Sequence, residues 1–153
     1  MRYFLDTEFS EKPGSIILLS IGIVAEDGRE YYAVSSEFTP EQCNAWVQEN
    51  VIPRLGCNGR KSVVQIAGEV HAFVANDCPE FWGYYCDYDW VVFCWLFGAM
   101  IDLPTGWPIY CRDLKQEIDR QERDISQPDD ECHNALDDAR WIAGTWKALS
   151  GDG

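Results

Sequence analysis

Residues 15–25, SIILLSIGIVA, constrain this chain more than any other segment. β-Branched side chains are stiff at χ1 and favour extended backbone, and a strand with no polar alternation has to be covered on both faces. The segment predicts an interior strand of a sheet with structure layered above and below it. Residues 2–7 read as a shorter strand before it, and the Asp27-Gly28 turn signal leads into a third strand near residues 29–35.

Helix signals follow. Thr39, Pro40 and Gln42 supply a cap, a favourable first residue and a capping-box partner for a helix that stops before Pro53. Ser62 and Gln65 repeat the pattern for a second helix to about Asn76, with Gly56, Asn58 and Gly59 as the linker. Residues 80–86, EFWGYYC, predict a fourth strand, residues 89–97 an apolar helix, 102–108 a Pro-bearing loop, 109–111 a short fifth strand and 113–123 a charged helix. After the polar loop 124–131, Asn134 caps a last helix over about 135–149, with Asp137 as the capping acid. The order βββααβαβαα is that of an α/β domain, a mixed sheet of about five strands flanked by helices. No repeat or long linker divides residues 1–153, so one domain is expected.

The chain carries 12 Lys and Arg against 26 Asp and Glu, a net charge of −14. That excludes a passive nucleic-acid or anionic-membrane binder, which needs a basic face. A polyanionic substrate would have to be neutralised by something other than the chain's composition. The longest apolar run, Trp90 to Ile101, covers 12 residues where a bilayer crossing takes about 20, so no membrane span is expected. The N-terminus reaches Asp6 after three apolar residues and lacks the apolar middle of a secretory signal. Seven cysteines with no Cys-x-x-Cys, beside two histidines, fit neither a zinc site nor a disulfide framework; free thiols in a reducing cytoplasm are expected.

Three acidic groupings are candidates for chemistry. Asp6-Thr7-Glu8 stands at the end of the first strand, where the alternation of side chains puts Asp6 and Glu8 on one face and Thr7 on the other. Two carboxylates a strand-step apart suit a hard divalent cation between them, and solvation of both beyond the strand end is the plain alternative. Asp89, with Asp87 before it, lies at a strand-to-helix junction, where α/β sheets place their sites and where helix capping explains an acid equally well. His133 lies just outside the last helix and Asp138 within its first turns, so both can face one cavity. His71, inside a helix among Val70, Ala72 and Phe73, reads as structural.

Taken in order, FLDTEF, CDYDW and HNALDDA resemble the three motifs of the DEDDh subgroup of 3′-to-5′ exonucleases, on a ribonuclease-H-like fold, and the resemblance spans residues 3–146. Within that group the short length, MRYFLDTEF and SIGIVAEDGREYYAVS are similar to the small exoribonucleases typified by the mycobacterial polyadenylate-specific 3′-exoribonuclease AS. The resemblance implies two divalent ions, Mg²⁺ or Mn²⁺, held by Asp6, Glu8, Asp89 and Asp138, with His133 as general base on the attacking water. It implies hydrolysis of RNA from the 3′ end to nucleoside 5′-monophosphates. A DNA exonuclease with the same site and an inactive nucleotide- or partner-binding module are the alternatives. Thr7 and Phe9 become candidates for sugar and base contact, Trp82, Trp90 and Trp107 for stacking, and Arg112 and Arg140 for phosphate, with core packing and surface ion pairs as competing roles. Many members carry Asn where this chain has Tyr85. Exposed aromatics in 81–85 are a candidate homodimer face.

Overall fold

The computed structural model describes residues 1–56, 59–74, 78–128 and 133–151; Asn58, Asn76, residues 129–131, Cys57 and Cys132 fall outside them. The interior strand is present: β2 (Ser15–Ala25) lies between β1 (Arg2–Lys12) and β3 (Glu30–Val34) and is antiparallel to both. β4 (Glu80–Gly83) and β5 (Arg112–Asp113) extend the sheet on the far side of β1, parallel to it, giving the order β3-β2-β1-β4-β5. Both faces of this mixed α/β sheet are covered, as the apolar β2 requires. On one, Tyr3, Leu5, Ile21 and Ile23 pack with Ile66 and Val70 of α2 (Val63–Val74) and Val92 and Phe93 of α3 (Asp87–Trp95). On the other, Phe4 and Val24 meet Leu114 and Ile118 of α4 (Leu114–Arg120) and Ala139 and Ile142 of α5 (Ala135–Ser150). A third cluster of Leu19, Val34, Val47, Val51 and Leu55 seats the short α1 (Ala45–Asn50). No described helix is long and apolar enough to cross a membrane.

The β1–β2 register slips at Glu8/Phe9: Ser20 faces Glu8 and Leu18 faces Phe9, which makes Leu19 the extra residue of a β-bulge. A one-residue insertion reverses the faces of the side chains beyond it. Leu19 accordingly joins the α1 cluster while Ile21 joins the opposite core.

Several boundaries differ from the expectation, each for a tertiary reason. β1 does not end after Thr7 but pairs with β2 as far as Lys12, because Gly14, with φ of 83°, turns the chain tightly back on itself. Asp6-Thr7-Glu8 is therefore mid-strand. The helix expected after Thr39 is broken into a 3-10 turn over Pro40–Gln42 and α1, which Asn44 caps by accepting from Val47 N at 2.9 Å. β4 stops at Gly83 because its pairing with β1 ends at Phe4/Trp82, and Tyr85, with φ of 51°, turns the chain into α3 two residues ahead of Asp89. The fifth strand lies at residues 112–113 instead of 109–111, and the charged helix spans Leu114–Arg120. The last helix and its Asn134 cap stand as expected, with Asn134 Oδ1 accepting from Leu136 N at 3.1 Å.

Candidate active site

Asp6 and Glu8 leave the same face of β1, and Asp138 comes down on them from the first turns of α5. One carboxylate oxygen from each lies within 4.8 Å of the others. Glu8 is only 8 % exposed and Asp138 only 6 %. Burial opposes their negative charge, and repulsion from Asp138 and Asp89 adds to it at Glu8, whose pKa is pushed up to about 8. Asp138 rises to about 6, again chiefly through burial, against the opposing hydrogen bond from His133 N to Oδ2 at 3.1 Å. Across the strand pair from Glu8, the buried Ser20 hydroxyl finds no hydrogen-bond partner among the described residues. Three carboxylates gathered where ionisation is disfavoured, with an unmatched hydroxyl beside them, fit a divalent metal site: hard oxygen donors are what such a cation takes, and its charge would restore their ionised state.

The convergence depends on Gly22 of β2, a residue without motif signal. A Cβ there would lie 2.2 Å from the Ala135 carbonyl oxygen and 2.4 Å from Leu136 N, so only glycine lets the start of α5 press onto the sheet. Asp138 follows one turn later. Its other oxygen, Oδ1, accepts from the Gln127 side chain, a second partner that no spacing rule would find.

Thr7 points to the opposite face of β1, as strand alternation requires, and there it meets Asp89 of α3. Thr7 N at 2.9 Å and Thr7 Oγ1 at 2.6 Å both donate to Asp89 Oδ1, which leaves Oδ2 clear of either bond. Asp89 is thus not the cap of α3. The turn into that helix is held instead by Asp113, whose carboxylate accepts from the Tyr85 and Cys86 amides at 3.3 Å each. Burial raises the Asp89 pKa to about 6, against the Thr7 bonds. Asp89 lies outside the 4.8 Å group but close enough for its charge to be felt at Glu8. Tyr85, at the position where many DEDDh members have Asn, sits in the left-handed region, which Asn tolerates better than Tyr.

His133 has φ of 78° on the loop entering α5, and its ring meets Trp46 of α1 edge-to-face at 4.9 Å. Desolvation, and next the positive charge of Arg54, hold its pKa below the usual histidine value, so the imidazole is unprotonated at neutral pH. Arg54 is tied to the same loop: Asn134 Nδ2 donates to its carbonyl at 3.1 Å. Neither Trp46 nor Arg54 stands out in the sequence, because both belong to the segment after β3 and reach the site only through packing.

The remaining candidates fall elsewhere. Trp107 is buried in the core, Trp90 stacks on Phe93 at 5.1 Å, and Trp82 packs near Trp146 at 6.1 Å. Arg112 pairs with Glu80 at 3.2 Å, and Arg140 with Glu30 at 2.6 Å and Asp137 at 2.7 Å. Asp137 serves Arg140 through its carboxylate, and Asn134 does the capping. Phe9 packs against the core on the α2–α3 side of the sheet, its ring 5.8 Å from that of Tyr88, the chain neighbour of Asp89.

The profile of the family described as "3′-5′ exoribonuclease Rv2179c-like domain" matches residues 1–150. Two curated Mycobacterium tuberculosis proteins, the 3′-5′ exoribonucleases Rv2179c and MT2234.1, are each 43% identical over 148 residues, 92% of this chain and 88% of theirs. Among solved structures, a zinc-bound E. coli exonuclease I–ssDNA complex aligns with a TM-score of 0.64 at 12% identity over 99% of this chain. E. coli exonuclease I with a dT13 oligonucleotide aligns with a TM-score of 0.63 at 13% identity over 97%. The chain spans 40% of those exonuclease I chains, and the likeness is one of fold, the ribonuclease-H-like arrangement.

Proposed function

The chain belongs to the Rv2179c-like family of 3′-5′ exoribonuclease domains, and from that premise we propose that it removes nucleotides from the 3′ end of single-stranded RNA as nucleoside 5′-monophosphates. The observation that carries this is the meeting of Asp6, Glu8 and Asp138 within 4.8 Å in surroundings that disfavour their charge. These three, with Asp89 beside them, would hold two divalent cations, Mg²⁺ or Mn²⁺. Such ions supply positive charge at the scissile phosphate and a more acidic water when bound. They also answer the −14 charge, since a short polyanion can then approach an acidic chain.

The chain's own residues account for the rest. Thr7 fixes one oxygen of Asp89 against β1 and leaves the other for a ligand. His133, unprotonated at neutral pH, takes a proton from the attacking water, and its backbone N–H, bonded to Asp138 at 3.1 Å, ties the entry to α5 to the ligand on that helix. Phe9 offers an apolar edge to the terminal base. Thr7, with both its hydroxyl and its amide N–H donating to Asp89, has neither donor left for a sugar, so its part is to hold Asp89. RNA is favoured over DNA as substrate because the 43%-identical relatives are named exoribonucleases, whereas the ssDNA-bound exonuclease I shares only the fold. Free thiols at Cys43, Cys78, Cys86, Cys94 and Cys111 suit a reducing cytoplasm, and Tyr85, the exposed aromatic of residues 81–85, is the candidate surface for a second copy in a homodimer.

A time course on 5′-labelled single-stranded RNA and matched DNA, with Mg²⁺, Mn²⁺ or EDTA, tests this. A one-nucleotide ladder stronger on RNA, absent with EDTA and with Asp6→Ala, is expected. A ladder stronger on DNA overturns the substrate, and no ladder with either metal overturns the enzymatic assignment.

A further inference from the structure

Two of the free cysteines lie together beside the turn that leads to Asp89. Cys86 directly precedes α3 and is buried, while Cys111 stands just before β5 and is half-buried against the core. Their meeting follows from the pairing of β4 with β5. Trp82 is opposite Arg112 and Gly83 opposite Asp113, which sets the end of one short strand beside the other. Gly83 then lets the chain fold back over β4: a Cβ there would overlap that of Cys86 and lie 3.4 Å from its sulfur. Asp113 fastens the turn by accepting from the Tyr85 and Cys86 amides at 3.3 Å each. Both thiols consequently donate to one acceptor, the Arg112 carbonyl, Cys86 at 3.7 Å and Cys111 at 3.5 Å, and they are hydrogen-bonded to each other. Cys43, by contrast, donates to the Thr39 carbonyl within the α1 cluster.

We propose that Cys86 and Cys111 form an oxidisable dithiol site, which takes a small-molecule disulfide as its oxidant and closes to a bond between the β4–α3 turn and β5. This goes beyond the exonuclease assignment and needs neither metal nor RNA. The reaction is thiol–disulfide exchange in two steps. Cys111, the more accessible of the two, attacks one sulfur of the reagent, whose S–S bond breaks and releases one thiol. Cys86 then attacks the Cys111 sulfur, the mixed disulfide breaks and the second thiol leaves. The protein gives up two electrons and two protons, and the two released thiols carry them. Contact with Cys86, and next burial, hold the Cys111 thiol above its ordinary range, so exchange is slow at neutral pH and quickens in alkali. Closure needs little rearrangement, because the strand pairing and the Asp113 carboxylate already hold the two segments together. The new bond rings residues 87–110, which include α3 and Asp89, and stabilises the fold by restricting the unfolded chain.

Equilibrating the full chain with glutathione disulfide at about pH 8.5, followed by acid quenching, alkylation and non-reducing peptide mapping by mass spectrometry, reads the linkage. Chymotrypsin cuts after aromatic side chains, Tyr85 and Tyr110 among them, and so separates Cys86 from Cys78, Cys94 and Cys111. Wild type should yield a Cys86–Cys111 peptide pair with glutathione on neither cysteine. The oxidised protein should melt about 5–10 °C above the reduced one, and Cys86→Ser and Cys111→Ser should each abolish that gain. The linkage is read on wild type alone, so it stands whether or not a serine at the buried position folds. Cys86 and Cys111 recovered as thiols, carrying glutathione or joined to another cysteine would overturn the site, as would a gain in Tm that survives in Cys111→Ser.

Discussion

Replacing Glu8 by Gln should stabilise the metal-free protein at neutral pH and destroy its response to metal. The folded pKa of Glu8 is about 8 against an ordinary value of 4.5, with burial as the first cause and repulsion from Asp138 and Asp89 next. Between those values the folded chain holds a proton that the unfolded chain has released. Stability is therefore fully present below about pH 4.5 and is lost as pH rises toward 8, by close to 1.4 kcal/mol per unit. From pH 5.5 to 7.5 the metal-free wild type should lose about 2.5 kcal/mol through this group alone. Glu8→Gln keeps the shape and removes the titration, so its advantage should widen by about that amount over the interval, roughly 5–10 °C in Tm for a domain of this size. Differential scanning calorimetry in EDTA at the two pH values reads it. Adding Mg²⁺ or Mn²⁺ should reverse the order at pH 7.5, because a ligand that binds the folded state stabilises wild type and finds one carboxylate fewer in the variant. A difference in Tm that does not change with pH, or a variant that is less stable than wild type at pH 7.5 in EDTA, would refute the account of the site as an electrostatically strained cation cradle.

Other expected outcomes concern the residues that bring the site together. Gly22→Ala puts a methyl 2.2 Å from the Ala135 carbonyl, so α5 must move, at a cost of about 3 kcal/mol or more; a thermal melt within about 2 °C of wild type would contradict this. Thr7→Val deletes the 2.6 Å bond to the buried Asp89 carboxylate and should cost about 1–3 kcal/mol, visible as a lower urea midpoint. Removing that donor raises the Asp89 pKa further, so the penalty should be present at pH 8 and shrink toward pH 5; an effect of the same size at both would argue against an ionised Asp89 as the acceptor. His133→Ala should lower the rate on RNA by about 10²–10⁴-fold while the metal-induced rise in Tm persists, which separates proton transfer from metal holding in one comparison of kinetics and melting.

The residues that meet in the acidic cluster were legible before any fold was known, for a local reason. Asp6 and Glu8 are a strand-step apart, His133 and Asp138 flank a helix start marked by Asn134, and alternation along a strand already separates Thr7 from the two acids. The apolar β2 likewise announced a sheet covered on both sides, and one acidic chain with no basic face already required another source of positive charge. What local pattern leaves open is where distant segments meet. β1 continues past Glu8 because β2 supplies backbone partners as far as Lys12, a pairing that propensity along one strand cannot register. Thr7 turned out to hold Asp89 because α3 packs on the other face of the sheet, 82 positions along the chain. Gly22 carries no chemistry, yet the absence of its side chain admits α5 to the sheet. Trp46 and Arg54 reach the site because the α1 cluster folds residues 44–55 against the loop of His133. Sequence fixes periodicity and the chemical kind of each group within a few residues. Burial, charge coupling and close approach between segments are properties of the packed chain, and here they govern which carboxylates resist ionisation and which distant segments meet at the acidic cluster.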